Sequence, residues 1–456
     1  MLRMNNNEYR DPFENLFDPG VFKLSDELNC VDELLNDPNI VKSFLEKFGS
    51  QRGRPTVPIS TYLRLMYLKD RYQLGYESLV EELENDIKWR RFCQIPLDQK
   101  IPHSTTLIKL TQKYGPEIIE AVNRQLLEQL KHKKILKGKK LRMDTTVVES
   151  NIHYPTDAGL LSDSVKKITK IVKEIKERGY ATKIKFRDRT RTVKKTILRL
   201  IKDLRSQGKS KQENFQEKTK ELMKITKKVI QQAKDVVEKT ASAAKTDFFD
   251  GIKALHDDLQ KFVGIADCIQ EQTQKVLIDN RQSIASRIVS IFDTSARPIK
   301  KGKLGIKAEF GRKIIVQDTE QRIITGYQVL EENPGDSGLV EESVAKHQDV
   351  FDSPPQEIAT DRGFSSADNE EKLKQAGIKR ISMPKKGNLS KERKQHQKQH
   401  WFKRLQRFRA GCEAKISLLK RKFGLRRSRL RGFRGTKIHV GWAILTHNLW
   451  QTTRLI

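Results

Sequence analysis

The strongest constraint on this chain is an interruption. From about Pro155 to Ile284 the sequence is highly charged and patterned for helix, while the sequence on either side is patterned for strand. Before it, KKLRMDTTVVESNI follows the break at Gly138, alternates, and is rich in β-branched residues, which reads as a strand with Asp144 at its middle. After it, from about Ser290, three short strands are expected: IFDT, EFGRKIIVQDT and, past a turn near Thr319–Gln321, RIITGYQVLE. Inside the interruption, apolar residues recur at helical spacing. One face carries Ile168, Ile171, Val172 and Ile175, and a second carries Val193, Ile197, Leu200, Ile201 and Leu204. Leu222, Ile225 and Val229 continue the pattern, and Leu255, Leu259, Phe262, Ala266 and Ile269 repeat it. Gly179, Gly208 and Gly251 mark breaks, so the stretch predicts long antiparallel helices inserted into a sheet domain.

The sheet domain continues with a helix over GLVEESVAKHQDVF, capped at Asp336 or Ser337. Next come QEIATDRGF, a helix over SADNEEKLKQAG, the strand IKRISMP, a basic linker rich in Lys, Gln and His, and a helix carrying Glu413. That order predicts a mixed α/β sheet with its carboxylates on separate elements. Upstream, residues 1–135 read as helices near Leu24–Phe48, Ile59–Leu68, Tyr76–Glu84 and Ile118–Leu130, with Gly53, Pro55 and Pro58 among the breaks. Short helices carrying Arg64, Lys69, Arg71, Lys88, Arg90 and Arg91 suit a helix-turn-helix-like DNA-binding module. A plain helical packing or dimerisation domain is the other reading.

Charge narrows the partner. Lys plus Arg number 90 against 58 acids, a net charge of +32, which points to a polyanion, most often nucleic acid. Cys30, Cys93, Cys268 and Cys412 are far apart with no C-x-x-C pair, so they read as reduced thiols, Cys412 as a buried one. MLRMNNNEYRDPFENLF lacks the apolar run of a signal peptide, and no apolar run reaches membrane-spanning length. A soluble, cytoplasmic protein is expected.

Glu413 stands out against this charge. From Lys379 to Arg434 there are 21 Lys or Arg and two acids, Glu392 and Glu413. Wound as a helix, Leu405, Phe408, Cys412, Ile416, Leu419 and Phe423 form an apolar stripe, beside a polar one of Gln406, Arg409, Glu413 and Lys420. A surface that only grips polyanions has little use for an acid there; one that performs chemistry on a phosphodiester does. Two divalent cations about 3.5–4 Å apart can activate the attacking oxygen and stabilise the leaving one, and clustered carboxylates hold them. Asp144 in its strand, Asp361 at the end of the strand Ile358–Thr360, and Glu413 are the candidates.

The order Asp144, Asp361, Glu413 resembles the DDE triad of bacterial insertion-sequence transposases with a ribonuclease-H-like core. LRMDTTVVESNIHYPTD is similar to their first-aspartate strand, and ATDRGF to their second-aspartate motif. Arg409, Glu413 and Lys420 match the R-x3-E-x6-K part of the Y-R-E-K signature; the tyrosine position holds Gln406. The pattern is similar to that of ISNCY-type transposases and covers most of the chain. The resemblance implies a DNA transposase whose triad holds two magnesium or manganese ions, with double-stranded DNA as substrate and a homodimer as the working form. It implies a helical DNA-binding domain at 1–135, a ribonuclease-H-like core at 136–154 and 287–456, and a helical insertion at 155–286. Arg409, Lys420 and Arg362 are expected DNA contacts, as are His153, Tyr154 and Trp401, which can stack on or bond to nucleotides. A non-mobile DNA-binding protein and a structure-specific nuclease are the alternatives.

Overall fold

The computed structural model describes residues 16, 18–48, 56–205, 211–246, 251–277, 284, 287–299, 308–385 and 387–456. The breaks expected at Gly53, Pro55 and Gly208 lie outside them. The chain divides into two compact units, residues 1–151 with 311–456, and residues 152–310.

The first unit opens with helices α1 (Asp26–Leu35), α2 (Pro38–Phe48), α3 (Ile59–Arg71), α4 (Tyr76–Asn85), α5 (Ile87–Phe92) and α6 (Ser104–His132). Tyr114 gathers this cluster: Phe44 and Tyr62 meet its ring edge-on at 4.9 and 5.1 Å between centroids. Basic residues expected to face DNA here serve the cluster instead. Arg64 is fully buried and donates to Asp32 (2.7 Å), Asn36 (2.8 Å) and the Ser60 carbonyl (2.9 Å). Arg71 clasps Glu27, Lys69 pairs with Asp70, Arg90 donates to the Pro96, Leu97 and Gln99 carbonyls, and Arg91 to the Phe22 carbonyl. Of the six, Lys88 alone is exposed. Basic residues on short helices signal DNA in a sequence, but burial decides what they do.

Strand β1 (Lys140–Glu149) follows. Beyond the second unit come β3 (Glu309–Asp318) and β4 (Ile324–Val329), numbered after a short β2 (Arg297–Ile299) in the second unit. Then α11 (Val340–Phe351), β5 (Glu357–Ala359), α12 (Ala367–Gln375), β6 (Arg380–Ser382), α13 (Lys391–Lys398), α14 (His400–Lys422) and α15 (Gly432–Thr452) complete the unit. Its strands lie in the order β4, β3, β1, β5, β6. β3 runs antiparallel to β1 and β4, while β5 is parallel to β1 and β6. The sheet is therefore mixed, as the alternation of strand and helix predicts.

α15 is buried along most of its length and packs against α3 and α6 as well as β4. Its Asn448 is the polar hinge of that packing: its amide bonds both the N–H and the carbonyl of Ile324 (2.9 and 2.8 Å) and reaches Asn123 on α6 (2.9 Å). A buried amide so fully used fixes helix, strand and cluster in one register. No described helix is long and apolar enough to cross a membrane.

The second unit contains α7 (Asp157–Glu177), α8 (Thr190–Arg205), α9 (Lys211–Thr246) and α10 (Ile252–Leu277). Its core is the set of stripes read from sequence, with Val165, Ile168, Val172, Ile175, Val193, Leu222, Val229, Leu259 and Ile269 buried together. Ile288 and Ile291 pack against the same core. IFDT, expected as a strand, forms none because Ile291 is taken into this core. Ile201, expected in the α8 stripe, is 40% exposed.

Candidate active site

β1, β5 and α14 bring the three predicted carboxylates together. Parallel pairing aligns Arg142 of β1 with Ala359 of β5, and continuing that register by two residues sets Asp361 beside Asp144. Asp144 is half-buried and accepts the Thr145 N–H (2.8 Å). Asp361 caps the turn Arg362–Phe364 by accepting the Arg362 N–H (2.6 Å). Glu413 is exposed, on the fourth turn of α14, and accepts from Arg409 at 2.7 Å. The Arg409 guanidinium also lies 3.8 Å from Asp144. Burial pushes the Asp144 carboxyl up to about 6, and the Asp361 and Glu413 charges add to the rise, opposed by the Thr145 N–H and Arg409. Burial pulls Arg409 down, yet the three carboxylates hold it above its ordinary value. Arg409 thus bridges Asp144 and Glu413, within the field of Asp361.

The helix is held to the strand from beneath. Arg142 lies two residues before Asp144 and so shares its side of β1. Its guanidinium grips buried Asp318 of β3 at 2.6 and 2.7 Å, stacks on Phe408 (4.5 Å to the centroid) and donates to the Phe408 carbonyl. It occupies the space beside Gly411, where a Cβ would lie 2.1 Å from Nη1. Gly411 is therefore glycine because an arginine passes through its side-chain position. Buried Lys415 anchors the next turn, donating to the Arg322 carbonyl (2.7 Å) and lying 2.9 Å from His447. Gln406, where the resembled signature has tyrosine, donates to the carbonyls of Ser382 (2.9 Å) and Thr360 (3.3 Å), the latter directly before Asp361.

Asp336 supports the sheet's other side. It accepts from the Thr145 hydroxyl (3.1 Å) and Lys313 (2.6 Å), and it lies 2.7 Å from where a Cβ on Gly363 would be. It thereby touches the neighbours of both aspartates. Sequence reading saw Asp336 only as a helix cap and passed over Arg142, Asp318 and Gly411. Nothing local marks Arg142 or Asp318, because β1 and β3 each carry several other charged residues.

Other expected contacts are more dispersed. Lys420 is half-buried two turns beyond Glu413, and Arg362 is exposed directly after Asp361. Trp401 stacks edge-on with His396 and Phe402 and donates to Gln399. His153 and Tyr154 belong to the second unit; both are exposed, and Tyr154 rests edge-on against Phe310. The stripe of α14 is largely as read, with Leu405, Cys412, Leu419 and Phe423 buried and Phe408 and Ile416 half-buried. Burial also raises the Cys412 thiol well above its ordinary value.

Among the described residues, no group of three or more His, Cys, Asp or Glu side chains is close enough to hold a metal ion as it stands. The donor chemistry nevertheless fits one. Carboxylate oxygens are the hard ligands that magnesium and manganese take, and a cationic group already sits among these three.

No curated protein and no solved structure matches the chain significantly. Two family models do. Residues 21–113 match a transposase domain (DUF772), and residues 285–449 match a transposase DDE domain. The pair favours a transposase over the nuclease and non-mobile readings, and the DDE family carries divalent-metal dependence with it. The chain is a DNA-cleaving and strand-transferring DDE transposase of the insertion-sequence type.

Proposed function

We propose that Asp144, Asp361 and Glu413 are the catalytic carboxylates of this transposase and that they hold two divalent ions, magnesium or manganese. The observation that carries the assignment is that Arg409 of α14 lies 3.8 Å from Asp144 and 2.7 Å from Glu413, while the charge of Asp361, two residues past β5, acts on the same guanidinium. When bound, such ions supply Lewis acidity, activating the attacking oxygen and neutralising charge on the leaving one. The chain's own part is to orient. Arg142 and Gln406 fix α14 against β1, β5 and β6, so that Glu413 is presented to the aspartates. With the carboxylates engaged by ions, Arg409 would donate to a non-bridging phosphate oxygen near the scissile bond. Lys420 and Arg362 contact flanking phosphates, while Trp401, His153 and Tyr154 meet nucleotides of the end. In cleavage a water oxygen bonds to phosphorus at the transposon end as the P–O3′ bond breaks, leaving a 3′-hydroxyl and a 5′-phosphate. In strand transfer that oxygen bonds to a target phosphorus while the target's own 3′-oxygen departs.

The strand order β4, β3, β1, β5, β6, with β1 central and its aspartate beside the end of β5, supports a ribonuclease-H-like core. Around it we assign 1–135 to end binding, 136–154 and 287–456 to catalysis, and 155–286 to the helical insertion. The working form is a homodimer that pairs two ends.

The test is cleavage of an end-labelled duplex carrying the element's terminus, with magnesium. Glu413→Gln and Asp144→Asn should lower the rate by more than about 10³-fold, the several kcal/mol that organised metal ions supply. If Glu413→Gln cuts as well as the wild type, the triad assignment fails.

A further inference from the structure

The charge of the second unit is sorted by helix. α7 carries five Lys against four acids, α9 nine against five, and α10 three against four. α8 carries six Lys or Arg and a single acid, Asp203, which lies within 3.9 Å of Lys218 on α9. Arg191, Lys194, Lys195, Arg199 and Lys202 are all exposed, and none forms an ion pair among the described residues. Leu198 and Ile201 lie on the outer surface with them, 58% and 40% exposed.

The stretch leading into α8 repeats the theme with a different period. In KIKFRDR, Lys183, Lys185 and Arg187 are exposed, while Ile184 and Phe186 between them pack against the helical core. Apolar anchors at every second residue hold this segment down and turn its cations outward. Its one acid, Asp188, is engaged by Lys173 at 2.5 Å and by the Thr190 hydroxyl at 2.6 Å. Segment and helix are thus adjoining stretches with outward cations, in which acids are absent or already paired.

A merely solvated face has no such sorting, because mixed signs on α7, α9 and α10 serve solubility as well. Like charge at this density also opposes self-association unless a polyanion lies between the copies. The two aliphatic side chains among the cations favour a solid neighbour over bulk water.

We propose that this face, made by residues 183–187 and the outer side of α8, is a second duplex-DNA-binding surface, separate from the carboxylate site. It grips phosphates without reading sequence. This rests on the transposase reading, which makes duplex DNA the substrate.

The experiment measures binding of the full chain to a fluorescent duplex that carries the terminus and its flanking DNA, across a salt series. K194Q/K195Q/R199Q/K202Q should bind at least about tenfold more weakly, with a salt slope reduced by roughly 3 to 4 for four lost phosphate contacts. K224Q/K227Q/K228Q/K239Q removes the same charge from exposed positions of mixed-sign α9 and should leave the slope near that of the wild type. An arginine variant at the α8 positions (K194R/K195R/K202R) should restore binding, which separates loss of contacts from misfolding. Equal slopes for the wild type and the α8 variant would overturn the proposal, as would an equal fall for the α9 variant. Failure of the wild-type chain and Glu413→Gln alike to bind the duplex would instead sink the transposase reading beneath it.

Discussion

The two units use charge in opposite ways. In the first, cations go inward: Arg64, Lys69, Arg142, Arg312 and Lys415 are buried. In the second, no Lys or Arg is buried among the described residues. Its buried hydroxyls turn back on their own helices, as Thr219, Thr226, Thr240 and Thr273 do by donating to the carbonyl four residues earlier. An apolar bundle core of this kind is specified by volume and pattern and tolerates rearrangement. A core threaded by ion pairs has one good register, because each partner left alone is a buried charge. The catalytic unit needs that register, since three elements must meet at one point. The bundle does not, and its cations are left outside for a partner.

The contrast is sharpest for single carboxylates. Asp318→Asn strands Arg142 in the core and should cost about 3–5 kcal/mol, the usual penalty for breaking a buried pair. Cleavage should fall with it, because Arg142 is what joins α14 to β1. Asp258→Asn in the bundle breaks a pair with Lys167 that is 3.9 Å long and partly exposed. That change should cost less than about 0.5 kcal/mol. Denaturant unfolding of the two variants checks both figures, and equal costs would erase the distinction between the units.

A glycine sharpens it further. In most helices Gly→Ala is worth up to about 1 kcal/mol of added stability. At Gly411 the new methyl meets the Arg142 guanidinium, which Asp318 and Phe408 hold in place. Gly411→Ala should therefore destabilise by about 2–4 kcal/mol, most of a broken buried pair less the helix gain. Gly264 of α10 has open space around it, so Gly264→Ala should stabilise. A stabilised Gly411→Ala would show that the arginine moves aside freely.

This division also explains what could be read from sequence. The bundle stripes, β1, β3, β4, α11 and α12 were legible because each announces itself within a dozen residues by its own periodicity. Asp144, Asp361 and Glu413 were legible for a related reason, each being an acid out of place in its local setting. The Arg142–Asp318 pair was not, since its members are separated by 176 residues and each alone resembles an ordinary charge. The same blindness made Arg64 a DNA contact rather than a buried anchor. α13 was expected as linker because KERKQHQK has no apolar face, and indeed none of its residues is buried. It forms because Ser390 caps it and Arg393 reaches back to Glu370 on α12, contacts that no window of composition contains. Gln406 presents the reverse case: the signature predicts tyrosine, and the amide instead binds two strand-end carbonyls.

A graded effect, absent at neutral pH, concerns titration. His347 of α11 is buried, donates through Nε2 to the Gly138 carbonyl (3.0 Å) just before β1, and lies against the Phe351 ring. Burial holds its imidazole down at about 4, from an ordinary value of 6.5, against the Gly138 hydrogen bond. Above pH 6.5 the ring is neutral in both folded and unfolded chains, so it adds no pH dependence there. Below 6.5 the unfolded chain takes up a proton that the folded chain refuses until about pH 4, and stability is lost across that window. At about 1.4 kcal/mol for each pH unit, the loss is no more than about 3 kcal/mol by pH 4. Histidines 439 and 447 in the same unit are also held low by burial, so the wild-type curve contains their losses too. His347→Gln isolates this one: its stability should fall less steeply than the wild type between pH 6.5 and 4, with parallel curves above. Curves that stay parallel down to pH 4 would mean that the ring takes its proton without opening the contact between α11 and the start of β1.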